Sequence, residues 1–344
     1  MILSLVSELF ARVSRRPVVE QAVDTLRRSG RFVRLDGLTD PAKTLLATLV
    51  AAELGRPAVF IVESNQRAEA LVEPLRWFYR AVTDKPGHRV VHLPALEVLP
   101  YDGRSPHAEI SEDRAVALWR FANGDADMMI APVQAALWRM RESEFYRHLA
   151  LTIERDQDIP HRELLDFLSS AGYDKQTTCE MPGQFAVRGG IIDVFSPEAP
   201  QPVRIELLGD TIESIRAFDP ATQRSTNPVE RSILLPLTEF PRRPEFLDQL
   251  QARSESGRED ASLPAGFYSG WEFREFLTQE RKANLFALVA EPLIIEDEPS
   301  LLAEAANEYR KRVEASFDDA DDARAEPPSR FLLSESEWAK LSQR

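Results

Sequence analysis

The rhythm of hydrophobic positions changes along the chain. Between about residues 30 and 145, short continuous apolar runs alternate with stretches of helical spacing. RFVRLDGL (31–38), AVFIVES (58–64), RVVHLPA (89–95) and ADMMIAPV (126–133) predict strands. KTLLATLVAAELG (43–55), NQRAEALVEPLRWFYRAV (65–82) and DRAVALWRFANG (113–124) predict helices between them, the first closed by Gly55. Strands apolar on both faces, alternating with helices, imply a parallel sheet covered on both sides. The first region therefore reads as an α/β, nucleotide-fold-like domain.

After about residue 150 the period shortens. One helix, HRELLDFLSSAGY (161–173), with Gly172 as its stop, precedes alternating segments: QFAVRG, IIDVFS, VRIELLGD, TIESIRAFD and VERSILLP. Gly189-Gly190 and Gly209-Asp210 are two-residue hairpin signals. A small α+β domain with an antiparallel sheet is expected. From residue 238 the chain turns polar and helical, except for PLIIEDE (292–298), the one later run able to join the first sheet. The expected organisation is 1–149 for the first part of the α/β domain, 150–237 for an inserted α+β domain, and 238–344 for the return, with helices and an acidic loop, DDADDARAEPP.

Composition narrows the function classes. The chain has 344 residues, a net charge of −14 and a pI near 5.0. A direct grip on a nucleic-acid backbone is disfavoured, although a local basic patch stays open. The single cysteine, Cys179, excludes an internal disulfide and fits a reducing cytoplasm. No apolar run reaches membrane-spanning length. The start, with Leu3, Val6, Leu9, Phe10 and Val13 at helical spacing and Glu8 among them, reads as an amphipathic helix rather than a secretory signal. The histidines His88, His92, His107, His148 and His161 are scattered and form no zinc set.

One stretch carries candidate chemistry. Gly37-Leu38-Thr39-Asp40-Pro41-Ala42-Lys43-Thr44 keeps the frame of a phosphate-binding loop at Gly37, Lys43 and Thr44. A working loop needs consecutive inward N–H groups and close backbone approach to an anion. Pro41 removes a donor, Ala42 adds a methyl, and Asp40 adds a negative charge. The same residues suit a helix start, with Asp40 as N-cap and Pro41 as first helical residue. A capped helix is the favoured expectation, a weak nucleotide site the alternative. Asp297-Glu298 reads as a solvated strand end or as the acidic pair of an ATPase. In the second domain, alternation puts Arg188, Arg204 and Glu206 together on a sheet face. That face is either simply solvated or a protein-docking surface.

The motifs LPALEVLPYDGRSPHAEISEDRAVAL, GQFAVRGGIIDVFSP, VRIELLGDTIESIRAFDPATQRS and SLPAGFYSGW resemble transcription-repair coupling factors (Mfd) and, in part, UvrB, over about residues 30 to 300. The resemblance implies a degenerate RecA/helicase-like (P-loop NTPase-like) domain carrying the inserted α+β domain. It implies the amino-terminal, UvrB-like module of the coupling factor, a non-catalytic part that docks UvrA and brings nucleotide excision repair to stalled RNA polymerase. Positions matching UvrA contacts are Arg188, Arg204 and Glu206, with Phe185 nearby; Ala186 stands where UvrB has Arg. The broken loop and the short segment holding only Tyr101, where UvrB has an aromatic hairpin, favour the coupling factor. In the family, ATP and magnesium serve motor domains, and polymerase, DNA and a carboxy-terminal domain that covers the UvrA surface meet parts outside these 344 residues. The module itself is expected to need no cofactor and to touch no membrane. The alternative is a UvrB-like, nucleotide-dependent DNA repair enzyme with a relaxed loop; a plain scaffold is a third possibility.

Overall fold

The computed structural model describes residues 10, 12–13, 15–29, 32–255, 267–320 and 325–342. Leu3, Val6 and Leu9 of the expected leading helix, the SLPAG part of the last quoted motif and part of the acidic stretch lie outside them. In chain order the elements begin with α1 (Pro17–Ser29), α2 (Asp40–Leu54), β1 (Ala58–Val62), α3 (Asn65–Thr83), β2 (Val90–His92), α4 (Ala108–Ala122) and β3 (Met128–Pro132). Next come β4 (Leu151–Glu154), α5 (His161–Ser170), β5 (Asp174–Lys175), β6 (Gln184–Arg188), β7 (Ile191–Val194), β8 (Val203–Leu208), β9 (Thr211–Phe218), β10 (Ser225–Pro228) and β11 (Arg231–Leu234). The chain continues through α6 (Pro244–Glu255), α7 (Trp271–Thr278), β12 (Leu293–Glu296), α8 (Pro299–Asp319) and α9 (Glu335–Ser342).

Contacts divide the chain into two units, one of residues 1–103, 120–143 and 279–344, the other of 104–119 and 144–278. In the first, the apolar runs make a wholly parallel sheet in the order β12-β1-β3-β2. β1 is buried along its whole length, which is why its run carries no polar alternation. Phe60, Leu71, Leu75, Tyr79 and Ile130 centre the core there. Gly55 closes α2 at φ 62°, as a left-handed cap requires. Ser64 starts α3 by accepting from the Arg67 amide at 3.1 Å.

Residues 32–36 differ from expectation, since they enter no strand. Phe32 and Leu35 are exposed, and Arg34 pairs with Asp36 in solvent at 2.9 Å. Alternation alone does not make a strand: the segment pairs with none of the described strands.

In the second unit six strands run β10-β9-β8-β7-β6-β5, antiparallel except for β5 beside β6. The Gly189-Gly190 and Gly209-Asp210 turns join β6 to β7 and β8 to β9. VERSILLP does not extend this sheet; its β11 pairs with β4 in a separate two-stranded ribbon. One sheet face packs Phe185, Ile192, Val194, Ile205, Ile212 and Ile215 against Leu164 and Leu168 of α5. Arg114 and Glu239 form a fully buried ion pair in this unit. Among the described residues no helix is long and apolar enough to cross a membrane.

Candidate functional site

The loop residues Gly37, Asp40, Ala42, Lys43 and Thr44 do sit at a helix start, but the cap is not the expected one. Thr39 is the N-cap, without a side-chain capping bond; Asp40 is already helical and Pro41 follows it. Asp40 cannot cap because its carboxylate is taken elsewhere. Arg67 Nη1 and Nη2 donate to its two oxygens at 2.7 and 2.6 Å. Those bonds from Arg67 hold the Asp40 carboxyl below the usual carboxylate range, against the smaller cost of burial.

Asp297 is likewise not a solvated strand end, and Glu298, although more than half exposed, is tied to Lys43. Lys43 Nζ donates to Asp297 Oδ1 and to Glu298 Oε1, both at 2.6 Å. Arg67 Nε reaches Asp297 Oδ2 at 2.9 Å. The Asp297 side chain is 1% exposed, so β12 delivers a buried carboxylate between two cations. Burial opposes the Lys43 charge, but the bonds to Asp297 and Glu298 outweigh it and raise the ammonium pKa. Thr44 turns its hydroxyl back onto the carbonyls of Asp40 and Pro41, at 3.0 and 3.1 Å. Glu298 takes the left-handed backbone, φ 49°, strained for a non-glycine residue. The cationic groups and the hydroxyl that would meet a nucleotide are thus satisfied within the chain. Among the described residues no cluster of three or more His, Cys, Asp or Glu is placed to hold a metal.

The sheet face of the second unit is built by register. Arg188 stands opposite Ile191, Ala186 opposite Asp193, Asp193 opposite Arg204, and Ile191 opposite Glu206, so all share one face. Arg204, Glu206 and Arg188 are brought together as expected, but they are not equally free. Arg204 Nε and Nη2 clamp Asp193 at 2.7 and 2.9 Å, and the guanidinium lies 5.0 Å from the Phe218 ring centroid. Hydrogen bonds to Asp193, against burial, raise the Arg204 pKa. Glu206 accepts from the Ser214 hydroxyl at 2.8 Å. Arg188 has a half-exposed side chain; it donates to the Thr177 carbonyl at 3.1 Å and lies 3.9 Å from Asp193. Phe185 is on the other face, buried in the core.

Asp193 was missed by sequence reasoning, because its role depends on pairing with β8. Two exposed apolar residues were also missed. Ile191 lies beside Arg188, and Leu208, 71% exposed, follows Arg204 and Glu206 on the same face of β8. Both hairpin turns lie at this end of the sheet, since Ile191 pairs with Glu206. The far end of the face is covered by Cys179, Phe195 and Phe218. The exposed end thus presents a cation beside apolar groups. Arg216, exposed opposite Arg204, borders a cleft of about 370 Å³ lined also by Arg155, Glu206, Glu213 and Glu230.

The UvrB interaction domain family matches residues 151–240, from β4 through β11 and a few residues beyond. This stretch is similar to UvrB interaction domains. The chain around it is similar to transcription-repair-coupling factors. The one from Myxococcus xanthus is 35% identical over 254 residues, covering 74% of this chain and 21% of that protein. The Escherichia coli one is 31% identical over 214 residues, covering 62% and 18%. The UvrABC system protein B of Thermus thermophilus is 26% identical over 243 residues, covering 66% and 35%. The chain spans about a fifth of the length of the coupling factors it matches, and it carries their UvrB-like module.

Proposed function

We propose that this chain is a non-catalytic docking module that binds UvrA and recruits nucleotide excision repair to RNA polymerase stalled at DNA damage. The observation that carries the reading is the exposed hairpin end of the UvrB interaction domain, where Arg188 stands opposite Ile191 and Leu208 is exposed beyond Glu206 on β8. A cation beside exposed apolar side chains is the composition of a protein-binding hot spot. Arg188 pairs with a partner carboxylate, Glu206 meets a basic group, and Arg204 acts chiefly by holding Asp193 and the face. Phe185 supports the sheet from the core side.

In this reading the parallel-sheet unit is a degenerate RecA/helicase-like domain, interrupted by the docking domain, and turns over no nucleotide. Polymerase and DNA are engaged by other parts of a longer protein, an ATP-dependent translocase, whose carboxy-terminal domain covers the UvrA surface. The test is titration of purified UvrA with the chain and with Arg188→Ala and Leu208→Ala. Lost affinity in both variants supports docking at the hairpin end. Unchanged affinity in both overturns it.

A further inference from the structure

The phosphate-loop remnant is more than a loop short of glycines. Its two cations are bridged by one carboxylate: Asp297 offers Oδ1 to Lys43 and Oδ2 to Arg67, at 2.6 and 2.9 Å. A phosphoryl group held between an ammonium and a guanidinium would present its oxygens in the same way. Asp40 then fills the remaining fork of Arg67, and Glu298 takes a second position on Lys43. These carboxylates come from opposite parts of the chain, 254 residues apart for Lys43 and Asp297. The strained φ of 49° at Glu298 accompanies the turn that brings its carboxylate onto Lys43.

We propose that Asp40, Asp297 and Glu298 form an internal anion lock: they occupy the Lys43–Arg67 site as intrachain ligands and exclude polyphosphate, which binds once the lock is neutralised. With the lock in place, a chain with this frame would not take up nucleotide. Three carboxylates surround two cations, so an incoming polyanion meets both occupied donors and net negative charge. Removing two of the carboxylates leaves one unmatched positive charge between two pre-placed donors. This inference is independent of the docking reading, since it concerns the other unit and a different ligand.

The experiment measures inorganic pyrophosphate binding calorimetrically, with thermal unfolding in parallel, on the full chain. Asp40→Asn/Glu298→Gln removes the two carboxylates that are more than half exposed and keeps the buried Asp297. Asp297→Asn removes the bridge itself. The wild type is expected to show no saturable binding, and Asp40→Asn/Glu298→Gln to bind at least about tenfold more tightly than any wild-type limit. Adding Lys43→Met should abolish that gain. A folded Asp40→Asn/Glu298→Gln chain that binds no pyrophosphate overturns the lock. So does wild-type binding of equal strength, or binding that survives Lys43→Met. If Asp297→Asn does not fold, the exposed pair decides alone. UvrA titration of the same variants separates the two proposals, because the lock variants should leave UvrA affinity unchanged.

Discussion

Arg204 and Asp193 face each other on neighbouring strands, and the guanidinium clamps the carboxylate through two bonds of 2.7 and 2.9 Å. Asp193 is almost fully buried, so the pair is part of the fold before it is part of any interface. Removing one partner strands the other charge, whereas removing both does not. Arg204→Ala should therefore cost about 3 kcal/mol of stability, and Asp193→Ala/Arg204→Ala distinctly less. Urea unfolding of the four proteins in this cycle checks it; a single-mutant loss under about 1 kcal/mol would mean the pair is not integral.

Arg188 is the cleaner probe of docking. Its side chain is half-exposed and its one described hydrogen bond goes to the Thr177 carbonyl. Arg188→Ala should change stability by less than about 0.5 kcal/mol. Its UvrA affinity should fall about tenfold or more, and the salt dependence of association should weaken. A parallel loss of stability and binding would assign Arg188 to the fold instead.

The Gly189-Gly190 turn brings two backbones together. A Cβ on Gly190 would sit 2.8 Å from the Leu207 carbonyl oxygen, while one on Gly209 meets nothing within 4 Å. Gly190 also accepts the Leu207 N–H at 2.8 Å. Gly209 at φ 66° bears only the left-handed penalty, about 1 kcal/mol for alanine. Gly190→Ala should be the more destabilising of the two, and thermal melts of both variants compare them directly.

His92 ends β2, and burial, aided by nearby Arg76, lowers its pKa from 6.5 to about 4. The folded state thus resists a proton that the unfolded chain accepts below pH 6.5. The resulting stability is fully present above pH 6.5 and is lost as pH falls toward 4. Across that window His92→Leu should lose less stability than the wild type. Equal acid slopes would remove His92 from the account.

Cys179 is fully buried beside the docking strands, and burial, with the Asp193 charge, pushes its thiol up to about 12. Its S–H donates to the Gln184 carbonyl at 3.3 Å. Iodoacetamide at neutral pH should leave the native chain unlabelled and modify it at the rate of unfolding. Labelling as fast as free cysteine would contradict the buried site.

Much of this was legible in the sequence. Continuous apolar runs announced β1, β2, β3 and β12, and paired turn residues placed two hairpins, because period and turn chemistry act over a few neighbours. The shared face of Arg188, Arg204 and Glu206 followed from alternation. The failures have one character. RFVRLDGL alternates like a strand yet finds no partner, VERSILLP pairs with β4 instead of the main sheet, and Asp40 leaves the cap for Arg67.

The sequence by itself determined most of the helices and strands, the hairpin turns, the missing glycines of the loop and the resemblance to UvrB-like modules. Only the tertiary structure decided which charges meet. It set Asp297 on Lys43, Asp193 on Arg204 and Phe185 inside the core, while leaving Ile191 and Leu208 in solvent. Local pattern states what each side chain can do. Which partner it finds depends on strand order and register, and these are set by how the whole chain buries its apolar surface.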